Sequence, residues 1–305
     1  KLNNRDQAKA VVDEWMNSNP YHPEPILLKV DYLTQEKEAQ RAISVLDRAL
    51  SEHHKDNMLM KTVKLQILLD EQRLTEAKKL YAAIKDNIAN ESSKAGLEGR
   101  IAIIEERYAD AVPLLTEFYQ SFPSTQNILY LSLAHKNNGD SQKAIDVLEK
   151  HLSSFKNDDR ARTAVANLYL QTDRDKAYNK YERLLETQPN NVLVLNNIAW
   201  LAMEKGELEV AKGYIEKAYS IAPKLPNIPD TFGQILLKMD QKRESLAKAK
   251  EAYELTKGRD IDISLNYAQV LVANKRKNKA KELLETIIVN SAEQQEKLNE
   301  LKGQL

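Results

Sequence analysis

A chain of 305 residues with 30% charged residues, 6% aromatics and an excess of Ala, Leu, Lys and Glu favours helix throughout. Eight Gly and nine Pro are too few to punctuate a many-stranded sandwich or barrel, and 45 basic against 45 acidic residues leave no net charge to steer the chain towards nucleic acid or an anionic membrane. The lack of cysteine excludes disulfides, thiolate metal sites and Cys nucleophiles, and the longest wholly apolar run, residues 198–203, falls far short of the roughly twenty residues of a spanning helix.

Residues 1–20 read as the second helix of a pair whose first helix is missing, so the natural protein is expected to extend upstream. Eight helix pairs follow over residues 21–290. A small residue marks the second helix of each: Ala42, Ala77, Ala111, Ala144, Ala177, Ala211, Ser245 and Ala280, with Ala8 marking the lone helix before them. Neighbouring marks lie 33 to 35 residues apart, a period that signals a repeat architecture. The first two full pairs match least well, because Lys61 and Lys64 stand where large apolar residues are usual. Pro113 falls inside the expected second helix of its pair and should kink or delay it. Residues 291–305 read as a polar closing helix.

Each pair repeats the same local chemistry. Around the mark, apolar residues recur at helical spacing, as in Ala144, Leu148 and Leu152, or Ala211, Ile215, Ala218 and Tyr219. Twelve residues later a proline stops the helix in several pairs: Pro20, Pro123, Pro189 and Pro223. Twelve residues before the mark stands a small residue, Gly99, Ser132, Ala199 or Gly233, where two helices must cross closely. Gly139 and Gly206 share one turn position, which asks for positive φ.

A 34-residue helix–turn–helix with small residues at its eighth and twentieth positions and a closing proline resembles the tetratricopeptide repeat, residues 192–225 being the best unit. The resemblance implies an all-α, right-handed superhelical solenoid whose first helices line a concave groove. Such a groove takes an extended peptide or a partner's helix. The groove positions are then Tyr130, Arg160, Asn167, Asn197, Trp200, Asp230, Gln234, Asn266 and Gln269. They are rich in amides, which both donate to and accept from a peptide backbone. Tyr81, Tyr181, Tyr219 and Tyr253 fall on second helices and are expected in the core.

A narrower resemblance rests on Asn196-Asn197-Ile198-Ala199-Trp200-Leu201 and, one repeat later, Asp230-Thr231-Phe232-Gly233. The pair is similar to the C-terminal repeats of large lipoproteins associated with bacterial exosortase (PEP-CTERM) and exopolysaccharide systems, although Gln234 follows Gly233 where that family often has Trp. This implies the periplasm or an outer-membrane anchor; without it a cytoplasmic setting is expected.

Motifs that would carry chemistry are lacking. His53-His54 are adjacent on a helix end and point in divergent directions, which disfavours a shared metal. Gly96 and Gly99 lie inside a repeat helix with no preceding strand, unlike a phosphate loop. Acidic pairs such as Glu105-Glu106 read as solvated surface. The basic run at 275–281 has no interleaved aromatics for stacking on bases. The expectation is a non-enzymatic scaffold that binds a protein or peptide partner, with no cofactor, metal or nucleic acid. The alternatives are a regulatory array attached to a glycosyltransferase-like enzyme and direct polysaccharide binding.

Overall fold

The computed structural model describes residues 2–305 as eighteen α-helices and one short 3-10 turn, without a strand among the described residues. Lys1, the first residue of the expected lone helix, lies outside them. In chain order the helices are α1 (Leu2–Ser18), α2 (Pro23–Gln35), α3 (Ala39–Glu52), α4 (Met58–Asp70), α5 (Leu74–Ile84) and α6 (Glu91–Ile104). There follow α7 (Tyr108–Ser121), α8 (Thr125–Asn137), α9 (Ser141–Ser154), α10 (Asp159–Thr172), α11 (Arg174–Thr187) and α12 (Val192–Glu204). The chain ends with α13 (Leu208–Ile221), α14 (Asn227–Lys238), α15 (Lys242–Thr256), α16 (Ile261–Ala273), α17 (Lys277–Thr286) and α18 (Ala292–Gly303). Packing divides the chain into two compact units, residues 1–161 and 162–305, with the boundary inside α10.

Within each unit a first helix packs on its second helix, as α6 does on α7 and α12 on α13. Within a unit, second helices also pack on the next first helix, as in α7 on α8 or α13 on α14. First helices touch one another directly as well: α4 meets α6 in the first unit, and α12, α14, α16 and α18 form a continuous row in the second. The first helices therefore make one face of each stack, and the second helices lie behind them.

The small residues sit where backbones approach. All eight marks from Ala42 to Ala280 are fully buried, Ser245 included. The hydroxyl of Ser245 has no spare room, and it donates to the carbonyl of Gly233 at 2.8 Å, which satisfies it at the crossing of α14 and α15. Ser132 does the same to Ala144 at 3.3 Å. A side chain on Gly99 would place its Cβ 2.7 Å from Leu115, and one on Gly233 would meet the backbone of Ala249 at 3.1 Å. Around these crossings Leu195, Ile198 and Ile215 are buried, each contributing about 1.5–3 kcal/mol.

Punctuation follows the sequence closely. α1, α7, α11 and α13 each end two residues before the proline that was expected to stop them. Gly139 and Gly206 adopt φ of 86° and 82° between their paired helices. Lys37, Gln72, Glu106, Asp240 and Lys275 take the same left-handed conformation at the equivalent turn, so the turn geometry holds without glycine. Between α10 and α11 the connection shrinks to Asp173, in extended backbone, whose carboxylate caps α11 by accepting from the Lys176 N–H at 3.0 Å.

Pro113 does not delay its helix. α7 begins at Tyr108, three residues before Ala111 like the other second helices from α3 to α17, and runs through the proline to Ser121. The helix loses one backbone bond there, but Ala111 and Leu115 on either side are fully buried and hold the backbone in place. Lys64, the awkward residue of an early pair, is accommodated by reaching back to the carboxylate of Asp47 on α3.

Candidate functional site on the first helices

The nine groove candidates all stand on first helices: Tyr130 on α8, Arg160 and Asn167 on α10, Asn197 and Trp200 on α12, Asp230 and Gln234 on α14, and Asn266 and Gln269 on α16. Tyr130 and Arg160 belong to the first unit and the rest to the second.

In the second unit the amides are tied to one another across repeats. Tyr181, fully buried on α11, donates its hydroxyl hydrogen to Asn167 Oδ1 at 2.5 Å and accepts from Asn197 Nδ2 at 3.1 Å. Asn266 Nδ2 donates to Asp230 Oδ2 at 2.8 Å, and Lys297 Nζ of α18 donates to Asn266 Oδ1 at 2.5 Å. One polar file thus runs from α14 through α16 to α18. Trp200 is half-buried under the guanidinium of Arg174, which lies 4.9 Å from the ring centroid, a favourable cation–π distance. Much of the hydrogen-bonding capacity that the sequence suggested for a ligand is therefore used within the protein.

Three polar atoms on the same face are not used. Asn196 Oδ1, Asp230 Oδ1 and Gln234 Nε2 are buried without a hydrogen-bond partner in the protein. Asn196 and Asp230 are repeat-equivalent, 34 residues apart. Burial pushes the Asp230 carboxyl up to about 6, against the opposing pull of the Asn266 bond and the Lys297 charge. Lys297 is lowered by its own burial, with Asp230 acting in the opposite sense. Two acceptors and one donor left unpaired each cost about 1–3 kcal/mol unless a ligand or water completes them.

In the first unit Tyr130 donates to Asp70 Oδ1 at 3.0 Å, and Arg100 lies over its ring at 4.8 Å. Arg160 Nη2 donates to Gln126 Oε1 at 2.9 Å. Burial raises the Tyr130 phenol above its ordinary value, with Arg100 opposing.

The tetratricopeptide repeat family model matches residues 100–292, more than half of the chain. The chain belongs to the tetratricopeptide repeat family. It is similar to human tetratricopeptide repeat protein 21A, 26% identical over 215 residues, which is 67% of this chain but 14% of that protein. Among solved structures it resembles that titled "Crystal structure of APC/C hetero-tetramer Cut9-Hcn1", with a TM-score of 0.63 and 13% identity over 97% of this chain and 59% of the other. It also resembles the MamA protein, with a TM-score of 0.49 and 16% identity over 54% of this chain and 92% of the other. The chain thus spans about a seventh of the curated relative and under two thirds of the Cut9–Hcn1 chain. Proteins of this repeat family generally act as protein–protein interaction scaffolds.

Other motifs find structural places in the tetratricopeptide array. His54 Nε2 lies 3.2 Å from the carbonyl oxygen of Pro20, and Lys277 of the basic run donates to the Gln304 and Leu305 carbonyls at the end of α18. Of the second-helix tyrosines, Tyr181 is fully buried. Tyr81 and Tyr219 are half-buried, bonded to Glu98 and Glu251, and Tyr253 packs against Tyr267. Sequence reasoning missed Asn196 and Lys297 as members of the first-helix face. Asn196 was visible as the repeat-equivalent of Asp230; Lys297 was not, because the run of small-residue marks stops at Ala280 and sets no register for α18.

Proposed function

We propose that this chain is a non-enzymatic scaffold whose second unit holds a partner polypeptide in extended form along α12, α14 and α16. The observation that carries this reading is the set of three buried, unpartnered polar atoms, Asn196 Oδ1, Asp230 Oδ1 and Gln234 Nε2, on neighbouring first helices. An extended backbone presents N–H and C=O groups in alternation and could complete both acceptors and the donor, while Trp200 supplies a flat apolar surface beside them. Their bonding to a ligand does not compete with the amide file, because those atoms are separate from the ones that Asn197 and Asn266 use internally. A setting in the bacterial envelope is supported by the Asn-Asn-Ile-Ala-Trp and Asp-Thr-Phe-Gly sequences. A lipobox in the full-length gene would test that setting.

The test of binding is titration of peptides selected from a random dodecamer library against the wild type and against the combined Asn196→Ala, Trp200→Ala and Gln234→Ala variant. Binding on the order of micromolar is expected, since ordering a free peptide offsets much of the interaction energy. The variant should bind at least about tenfold more weakly, as expected for losing two hydrogen bonds and a ring contact. Unchanged affinity in a folded variant would remove this face as the site.

A further inference from the structure

The first unit contains a cavity of about 480 Å³ on its first-helix face, within the range of about 300–1,000 Å³ usual for small-ligand pockets. It lies between α4, α6 and α8. Its apolar lining comes from Ile88, Leu97 and Phe118, and its polar lining includes Gln66, Asp70 and Tyr130. The cavity depends on Gly96. A Cβ there would come within 2.6 Å of the Phe118 ring, so only glycine lets that ring pack against α6 and still line the cavity.

The charges in the lining cancel. Arg100 is spent inside the wall: its Nη2 donates to Asp70 Oδ1 at 2.6 Å and to the Gln66 carbonyl at 3.3 Å, its guanidinium covers Tyr130, and its side chain is only 11% exposed. Asp70 is 58% exposed, and the bonds from Arg100 and Tyr130 both end on Oδ1. Its Oδ2 is therefore a charged acceptor at the rim with no protein donor assigned to it. An acidic ligand would meet that carboxylate, and a basic one would bring its charge beside Arg100. A neutral group with an apolar body and a donor at its edge matches the lining best. Phe118 and Tyr130 add ring surfaces, which favour an aromatic body over an aliphatic one.

We propose that this cavity captures one tyrosine or tryptophan side chain of a partner polypeptide. The ring would lie against Ile88, Leu97 and Phe118, and the phenol O–H or indole N–H would donate to Asp70 Oδ2. The cavity lies in the first unit, and this inference stands whether or not the second unit binds a backbone.

The experiment titrates the full chain, labelled for methyl NMR, with N-acetyl-tryptophanamide, N-acetyl-tyrosinamide, N-acetyl-phenylalaninamide and N-acetyl-leucinamide. Fragments of this size should bind with dissociation constants of about 1 mM. The Ile88 and Leu97 methyls should shift, and the two donor-bearing probes should bind about tenfold more tightly than the phenylalanine probe, as a hydrogen bond to a charged acceptor requires. Asp70→Asn keeps Oδ1 for Tyr130 and Arg100 but turns the second oxygen into a donor, so it should level tryptophan and tyrosine with phenylalanine. Gln66→Trp, at an exposed rim position, should weaken all four probes by filling the mouth. Leucine binding as tightly as tryptophan, a tryptophan preference that survives Asp70→Asn, or unmoved Ile88 and Leu97 methyls at about 10 mM probe would each overturn the proposal.

Discussion

Replacing Asp230 with asparagine isolates the energetic cost of holding a carboxylate in the first-helix face. Burial raises this group from 3.8 to about 6, and each unit corresponds to about 1.4 kcal/mol of preference for the protonated form. The folded state thus binds a proton that the unfolded chain has already released between about pH 4 and 6. The stabilising contribution is complete below the unfolded value and is lost as pH rises through the folded one. At pH 7 both states are ionised, and the carboxylate destabilises the fold by about 3 kcal/mol relative to acid. Asparagine carries no charge to desolvate and can still accept from Asn266, but its amide leaves one buried group unpaired, at a cost of about 1 kcal/mol or more. Asp230→Asn should therefore be about 1–2 kcal/mol more stable than the wild type at pH 7, an advantage that fades and reverses by pH 4. Urea denaturation of both proteins at pH 4, 5, 6 and 7 measures the difference directly. A stability difference independent of pH over that range would refute the reasoning, as would a variant less stable at pH 7.

Three further outcomes test the register and the packing. Ala211→Arg should cost about 4 kcal/mol or more, measured by thermal or urea unfolding, because a fully buried helix crossing has no room for a long charged side chain. Gly206→Ala should cost about 1 kcal/mol through its φ of 82° alone, since its Cβ would meet nothing within 4 Å, whereas Gly213→Ala, inside α13 and equally uncrowded, should stabilise by about 0.5–1 kcal/mol. Asp158→Ala should cost about 3 kcal/mol, because its nearly buried carboxylate accepts from Thr125 at 2.6 Å, from the Ala161 N–H at 3.0 Å and lies 2.8 Å from His151 Nε2, leaving His151 fully buried without that partner.

The paired helices were legible because their signals are local and repeated. A buried small residue recurs every 33 to 35 positions from Ala42 to Ala280, prolines stop several second helices, and Gly139 and Gly206 sit at a left-handed turn. Pro113 did not delay α7, because burial of Ala111 and Leu115 outweighs one missing backbone bond, a tertiary effect that local rules do not contain. The candidate face was legible only in part. Periodicity placed Asn197, Trp200 and Asn266 on first helices, but it could not show that Asn197 binds Tyr181 or that Asn266 binds Asp230 and Lys297, since those partners lie 16, 36 and 31 residues away. The cavity beside Gly96 was hidden for a related reason. Its existence depends on how Phe118 of α7 lies against α6, which no spacing within α6 reveals.

The most direct test of the scaffold claim compares the two faces of one repeat in the cells that make the protein. Benzoylphenylalanine would be placed at Trp200 on α12 or at the exposed Glu216 on α13, followed by irradiation and mapping of any adduct by mass spectrometry. An adduct with one defined partner polypeptide is expected from position 200, lost on adding Asn196→Ala and Gln234→Ala, and none from position 216. Adducts from position 216 with none from position 200 would contradict it and move the binding surface to the second helices.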